Sequence, residues 1–317
     1  MKLQVGVLMD PIEKIKPYKD STFAMLLAAQ ARGHALHYFT QGDLALRDGE
    51  PYGRGRPLEV RDSRSDWFTL GAAQWAPLAE LDVLLLRKDP PVDTAFLHDT
   101  LLADRAEAAG VLLVNRPAAL RDCNEKLFAT HFPQCTPPSV VARDPEVLRA
   151  FIAEHGQVVA KVLDAMGGAS IFRVAAGDPN INVILETLTR EGRDFALVQR
   201  YLPEIIHGDK RILLIEGEPV PYALARIPQG GEFRGNLARG GRAAGVELSA
   251  RDRWLCAQVA PELRRRGLLF VGLDVIGDYI TEINVTSPTC IRELDQLYGL
   301  DIAGTLFARI EAMRRTQ

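Results

Sequence analysis

Residues Leu269 to Glu293 read LFVGLDVIGDYITEINVTSPTCIRE. Two apolar runs, Leu268 to Ile276 and Tyr279 to Val285, flank Gly277-Asp278, a turn signal that makes the segment a β-hairpin. Three oxygen-bearing side chains interrupt the runs: Asp274 in the first, Glu282 and Asn284 in the second. Carboxylates inside strands this apolar are costly unless something pairs with them. Hard cations take oxygen ligands, and Mg²⁺ is commonly held by one or two carboxylates plus substrate phosphates. The pattern points to a magnesium-nucleotide site; the alternative is a solvated sheet face carrying ordinary charges. The hairpin sets a condition. A strict two-residue loop would place Asp274 opposite Thr281 and turn Glu282 to the other face. A shared metal site therefore demands an odd-numbered loop or a bulge.

The chain has 317 residues, room for about two domains and a substantial core. Its apolar content of 47% and charged content of 25% are those of an ordinary soluble globular protein. A net charge of −3 gives no electrostatic case for nucleic acid or an anionic membrane. No apolar run approaches the ~20 residues that span a bilayer. The N-terminal MKLQVGVLMD enters a strand pattern directly, without a signal-peptide layout. Cys123, Cys135, Cys256 and Cys290 are widely spaced, which predicts reduced thiols and a cytoplasmic location. The six histidines are scattered and do not suggest zinc.

The first ~120 residues alternate strand and helix signals, as open α/β sheets do. Strand-like runs occupy Leu3 to Leu8, Ala35 to Phe39, Val83 to Leu86 and Val111 to Val114. Helices are predicted from near Asp20 or Ser21 to Gly33 and from Asp93 to Ala109. No GxGxxG follows the first strand, which argues against a dinucleotide-binding domain. Asp10-Pro11 follows it, with Lys14, Lys16, Lys19 and Asp20 nearby, and Arg87-Lys88-Asp89 ends a later strand. Ligands bind at such carboxyl ends, although a polar loop on a solvated edge reads the same way. The loop from Pro133 to Pro138 marks entry into a second unit. There Pro145 to His155 reads as a helix, and Val158 to Val162 and Ala196 to Gln199 read as strands. Arg211 to Ile215 and Pro221 to Ala225 resemble a hairpin around Glu216-Gly217-Glu218. Pro228 to Gly241, PQGGEFRGNLARGG, has too little apolar content to pack and is predicted to be a mobile loop or lid. Ala250 to Arg266 and Asp301 to Met313 complete the predicted helices.

Gly167-Gly168 follows the strand that holds Lys161. Adjacent glycines let backbone N–H groups approach phosphate oxygens, and lysine supplies compact positive charge. No GKS or GKT ending makes this a P-loop, and a Gly-Gly turn alone is commonly just a hairpin. Lys126, Asp209-Lys210-Arg211 and Arg226 add charge near the candidate phosphate elements. An arginine fork suits phosphate or an oxyanion, while a surface ion pair is the plainer role for Arg226.

Taken in order, these elements resemble the prokaryotic glutathione synthetases of the ATP-grasp superfamily. The resemblance is carried by MDPI (Met9 to Ile12), LRKDPP (Leu86 to Pro91), LRDCNEKLF (Leu120 to Phe128) and MGGASIFRV (Met166 to Val174). It continues through GDKR (Gly208 to Arg211), ARIPQGG (Ala225 to Gly231), RGNLA (Arg234 to Ala238) and the segment from Phe270 to Glu293. Ala165, where a further glycine is expected, and Val162, where a proline often follows the lysine, depart from the pattern. The resemblance implies an ATP-grasp fold behind an N-terminal open α/β (pre-ATP-grasp) domain. The implied boundaries are 1–122 for the N-terminal domain, 123–202 for a small lid domain and 203–317 for the C-terminal domain. It implies ATP-dependent ligation of γ-glutamylcysteine to glycine through an acyl phosphate. It further implies Mg²⁺, with Mn²⁺ as an alternative, no nucleic-acid or membrane partner, and a homotetramer. By the same resemblance Lys126, Lys161, Gly167, Gly168, Gln199, Tyr201, Leu202 and Asp209 hold ATP. Asp274, Glu282 and Asn284 hold the metal, Arg226 and Arg211 are catalytic, and Asp10, Lys19, Arg87, Ser287 and Arg292 meet the substrate. Rival readings are a D-alanine–D-alanine ligase, a ligase that extends a protein tail, and a non-catalytic nucleotide-binding module.

Overall fold

The computed structural model describes residues 2–164, 167–232, 234–235 and 240–316. Its N-terminal part runs β1 (Gln4–Met9), α1 (Ser21–Ala31), β2 (Ala35–Phe39), β3 (Leu44–Arg47), β4 (Glu50–Val60), β5 (Phe68–Leu70), β6 (Gln74–Pro77), β7 (Val83–Arg87), α2 (Thr94–Ala108), β8 (Leu112–Val114) and α3 (Pro117–Asp122). Strands β2, β1, β7 and β8 form a parallel sheet, so β1 and β7 are apolar apart from Gln4 and Arg87 at their ends and are covered on both faces. The Asp20 carboxylate starts α1 by accepting the Phe23 N–H at 2.7 Å. The sequence pattern leaves residues 44–77 without strands, yet β4 adds antiparallel to β2 and carries β3, β5 and β6. This extension is half solvated and rich in Gly, Pro and Arg, so its strands lack an apolar run.

A second sheet is built from β9 (Ser139–Ala142), α4 (Pro145–His155), β10 (Gln157–Val162), β11 (Ile171–Ala175), α5 (Ile181–Thr189) and β12 (Ala196–Arg200). Its antiparallel order is β11-β10-β12-β9. Leu148 and Ile152 of α4 and Leu185 and Leu188 of α5 pack on Val158, Ala160 and Val198 to make a core of its own. Val162 ends β10 paired with Ala196. Strands β9 and β11 and helix α5 are absent from the sequence reading.

The third part comprises β13 (Asp209–Ile215), β14 (Glu218–Pro219), β15 (Tyr222–Ile227), β16 (Arg242–Glu247), α6 (Ala250–Arg266), β17 (Phe270–Ile276), β18 (Tyr279–Asn284), α7 (Ile291–Tyr298) and α8 (Ile302–Thr316). The antiparallel order is β16-β15-β13-β17-β18. Strands β13 and β15 pair as expected from Asp209–Arg226 to Arg211–Leu224. Near the turn β14 intervenes, pairing with Leu214 and Ile215. The first and third parts share their cores: one joins Leu84 and Leu113 to Leu255 and Leu273, another joins Val5 and Phe23 to Leu213 and Phe307. At the seam, buried Asn115 donates to the carbonyls of Phe270 and Val285, both at 2.7 Å, and accepts from the Phe270 N–H at 2.9 Å. Asn115→Ala leaves three backbone groups unpaired in a dry seam and should cost about 2–4 kcal/mol. The shift of the urea unfolding midpoint measures this loss.

Candidate active site

The condition set by the hairpin is met. Gly277 and Asp278 form a two-residue loop between the paired Ile276 and Tyr279, and the register shifts between Asp274 and Val275. Thr281 becomes the extra residue, its hydroxyl 3.3 Å from the Asp274 carbonyl, and Asp274 stands opposite Glu282. Asn284, two residues on, shares the face of Glu282 and pairs with Gly272. A Cβ on Gly272 would lie 2.9 Å from both Arg211 Cδ and Pro288 Cβ, so glycine here leaves the Arg211 side chain its path.

Period-two geometry extends that polar row across three more positions. Arg211 is opposite Asp274, and Asp209, two residues earlier on β13, is opposite Arg226 of β15. Arg211 donates Nε to Asp274 Oδ1 at 2.6 Å and Nη2 to Oδ2 at 3.1 Å; Arg226 Nη2 lies 2.9 Å from the same Oδ2 and also pairs with Asp209. Burial alone would raise the Asp274 carboxyl, but the two guanidinium groups outweigh it and hold it well below the usual range. Asp209 shares one arginine, burial wins there, and its carboxyl is pushed up; its Oδ1 has no hydrogen-bond partner among the described residues.

Facing this row are two buried lysines from other elements. Lys161 on β10 places Nζ 3.4 Å from Glu282 Oε1, and Lys126, in the connector after α3, places Nζ 3.9 Å from the same oxygen. Lys126 also donates to the Leu163 carbonyl at 3.3 Å. Burial lowers the Lys161 ammonium, partly offset by Glu282, and the two lysines hold Glu282 low against its own burial. Two buried lysines on one wall of the cavity place compact positive charge where a phosphate chain could lie.

Lys126, Lys161, Asp209, Asp274 and Glu282 line one side of a cavity between the second and third sheets, while Arg211, Arg226 and Asn284 are not among its lining residues. Gly167 and Gly168, both at positive φ, line it on the side of the second sheet, and Gln199, Tyr201 and Leu202 line it where β12 leaves that sheet. Val159, Ile171, Ile205 and Ile276 supply apolar walls that the sequence reading does not single out. Their signal is ordinary strand alternation, indistinguishable from core. From the glycine-rich loop, Arg234 donates to the Gly168 carbonyl at 2.7 Å and pairs with Glu232. Gly235 packs so closely that a Cβ would lie 2.2 Å from the Arg226 carbonyl oxygen. Ala165, Met166, Phe233 and residues 236–239, part of the expected phosphate turn and lid, lie outside the described residues.

The expected substrate residues fall into two groups. At the carboxyl ends of β1 and β7, Asp10 meets Lys88 at 3.1 Å and accepts the Asp89 N–H at 2.8 Å. Buried Arg87 donates to Thr22 Oγ1 at 3.0 Å and the Pro288 carbonyl at 2.9 Å, and burial pushes its guanidinium down to about 10. Ser287 hydrogen-bonds the Asp89 carboxylate. Asp10, Arg87 and Ser287 converge around Asp89. Lys19 is exposed, and Arg292 instead pairs with Asp62 at 2.7 Å and lines a separate cleft with Tyr18 and Arg64.

Among the described residues no three His, Cys, Asp or Glu side chains converge on a cation position. Both Asp274 oxygens are engaged by guanidinium groups, and the third donor is an amide. Asn284 donates Nδ2 to the Gly272 carbonyl at 3.1 Å, which leaves its amide oxygen as an acceptor beside Glu282. This all-oxygen set fits a hard cation whose coordination is completed by phosphate oxygens.

Residues 125–299 match the prokaryotic glutathione synthetase ATP-grasp domain, and residues 3–121 match the N-terminal domain of the same family. The glutathione synthetases of Xanthomonas campestris pv. campestris and Pseudomonas aeruginosa are each 60% identical over 312 residues. Both alignments cover 98% of this chain, and respectively 99% and 98% of those proteins. That of Coxiella burnetii is 53% identical over 316 residues, covering 100% of this chain and 98% of that protein. Among solved structures, D-cycloserine synthetase DcsG superposes with a TM-score of 0.67 at 14% identity, covering 98% of this chain and 99% of that one. The ATP-grasp ligase PsnB superposes at 0.61 and 20% identity, covering 98% of each chain. These two establish a shared ATP-grasp fold.

At the ion network, Asp274→Asn removes the charge that balances two buried arginines and should cost about 3–5 kcal/mol near neutral pH. Asp274 has a depressed folded pKa, so its contribution is present above the ordinary carboxylate pKa and is lost as pH falls through the folded value. The stability gap between parent and variant should narrow below about pH 4, as urea titrations across that range would register.

Proposed function

Because the chain belongs to the prokaryotic glutathione synthetase family of ATP-grasp ligases, we propose that it joins γ-glutamylcysteine to glycine in this cavity, consuming ATP and releasing ADP and phosphate. The observation that carries the reading is the placement of Lys126 and Lys161 against Glu282 beneath the Gly167-Gly168 turn. The lysines and the turn hold the phosphate chain, and Gln199, Tyr201, Leu202 and Asp209 hold the nucleoside end. Glu282 and Asn284, with Asp274 behind them, hold the magnesium ion, for which manganese is an alternative. When bound, such an ion supplies charge neutralisation at the phosphate oxygens.

The chemistry follows from what a carboxylate lacks. It is a poor acyl donor, so its oxygen first attacks the γ-phosphorus of ATP, ADP departs and an acyl phosphate forms. The glycine amine then attacks the carbonyl carbon, the bond to phosphate breaks, and the amine proton is released. Arg211 and Arg226 provide fixed positive charge where the oxyanion develops. Asp10, Arg87 and Ser287 position γ-glutamylcysteine, with Lys19 and Arg292 at its periphery. Water would hydrolyse the acyl phosphate, and the loop from Pro228 to Gly241 closes against it. The Arg234 contact to Gly168 supports that closure.

The domain limits we assign are 1–122, 123–202 and 203–317, supported by the separate core beneath β9–β12. The cytoplasm suits four free, buried cysteines, and no helix among the described residues is long and apolar enough to cross a membrane. A homotetramer follows from the family alone.

Phosphate release should require ATP, a divalent cation and γ-glutamylcysteine, and amide formation should further require glycine. Release with D-alanine but none with γ-glutamylcysteine would overturn the assignment. Glu282→Gln and Asn284→Ala should each lower kcat/KM by about 10- to 100-fold, with the deficit shrinking as magnesium is raised. Near-parent rates at limiting magnesium in both variants would remove them from the metal site. Shortening the loop between Pro228 and Gly241 should lower the ratio of glutathione formed to phosphate released. A parent-like ratio at full rate would make the segment a passive linker.

A further inference from the structure

Glu125 sits beside the phosphate-facing Lys126, and four hydrogen bonds tie it to the other end of the site. Its carboxylate Oε1 accepts the Val285 N–H at 3.0 Å, the Thr286 N–H at 3.2 Å and the Thr286 hydroxyl at 2.8 Å. Its backbone carbonyl accepts the Ile283 N–H at 2.9 Å. These bonds engage residues 283, 285 and 286, which surround Asn284 and lead into Ser287-Pro288, where the Pro288 carbonyl accepts from Arg87. On the same outer edge of β18 the Ile280 N–H donates to the Cys135 carbonyl at 2.8 Å, so the connector replaces a neighbouring strand. The sheet order ends at β18, and a strand edge left unpaired would waste these donors.

An ordinary connector would satisfy that edge with backbone carbonyls, as Cys135 does. Glu125 adds a carboxylate with three converging donors from two consecutive residues. A main chain that bends away from a strand after Asn284 cannot offer its N–H groups to a straight partner, and a side chain of this reach captures them where they point. The bend after Asn284 is what carries Ser287 and Pro288 toward Arg87 and Asp89 on the first sheet. One residue therefore fixes three things relative to each other: the Lys126 ammonium, the Glu282–Asn284 face and the start of the 286–288 turn.

We propose that Glu125 is a positioning residue of the ligase, a bracket that keeps the phosphate-binding lysine in register with the segment that presents the acceptor carboxylate. The inference rests on the roles assigned above to Lys126 and to the 286–288 turn. Phosphoryl transfer needs the carboxylate oxygen in line with the γ-phosphorus, and a displacement of about 1 Å can cost on the order of 100-fold. Glu125 touches neither substrate; it acts through the groups it holds.

The test compares Glu125→Ala, Glu125→Gln, Thr286→Val and the double variant Glu125→Ala/Thr286→Val, with Lys126→Met as a check on the underlying site. Glu125→Ala should lower kcat by about 10- to 100-fold and raise the KM for γ-glutamylcysteine. It should also lower the ratio of amide formed to phosphate released, because ATP stays bound while the carboxylate wanders. Binding of a non-hydrolysable ATP analogue, measured by calorimetry, should weaken less than tenfold. Glu125→Gln keeps an oxygen acceptor and should recover most of kcat, and the double variant should be no worse than Glu125→Ala alone, because losing the carboxylate already removes the contact that Thr286→Val deletes. A folded Glu125→Ala variant with parent kcat, KM and coupling ratio overturns the proposal while a dead Lys126→Met leaves the site reading standing. If Lys126→Met is itself fully active, the site reading fails instead. Should Glu125→Ala not fold, the Thr286→Val variant decides: a soluble Thr286→Val protein with parent kcat, KM and coupling ratio overturns the bracket.

Discussion

The sharing of the Asp274 carboxylate between Arg211 and Arg226 is the contact on which the rest of the site depends. Both guanidinium groups and the carboxylate are buried, and no single one of them could stay charged there alone. Their partnership is written into strand register: Arg211 opposite Asp274, and Arg226 opposite Asp209 on the same face. Slipping β13 by one residue would drive these charges into the apolar face packed on α6 and put Lys210 and Ile212 in their places. The network thus selects one pairing of the sheet, and that pairing carries Asp274 and Glu282 to the cavity.

The site is assembled from sheets that do not belong to one unit. Lys161 comes from the second sheet, Glu282 from the third, and Arg87 and Asp89 from the first. The first and third parts share cores and are joined by Asn115, which makes them one rigid frame. The second sheet meets that frame across the cavity, where the contacts are polar: two lysines on one carboxylate, and Arg234 on the Gly168 carbonyl. Polar contacts can be exchanged for ligand contacts at little cost, whereas an apolar seam cannot. Opening for a nucleotide is therefore built into the choice of residues at that seam.

Much of this was legible in the chain before any coordinates. The parallel strands announced themselves as apolar runs because both of their faces are covered, and the hairpin bulge was required by the chemistry of Asp274 and Glu282. The antiparallel extension at 44–77 was not legible, since half-solvated strands such as EPYGRGRPLEV trade their periodicity for glycine, proline and arginine. Helix α7 was missed for a different reason: eight residues between Cys290 and Gly299 give too few turns to establish a period beside a stronger hairpin signal. In the site, charged residues in apolar strands stood out, but Val159, Ile171 and Ile276 looked like core because an apolar cavity wall and a core face have the same composition. The pairing of Arg292 with Asp62 in a separate cleft was likewise not legible, since sequence proximity to Ser287 does not fix which cleft a helical side chain enters.

The self-contained core beneath β9–β12 bears on how this chain can change over evolutionary time. Substitutions among Leu148, Ile152, Val158 and Leu185 are absorbed within one small module, because their packing partners lie in the same module. Their effects on stability add to those of changes elsewhere instead of compounding with them. The shared cores of the first and third parts have no such freedom, since a change at Phe23 or Phe307 is felt on both sides of the frame. The second sheet and the frame made by the first and third parts thus differ in their tolerance for drift. A lineage can retune that sheet by local repacking while the frame stays locked to the geometry of two sheets at once.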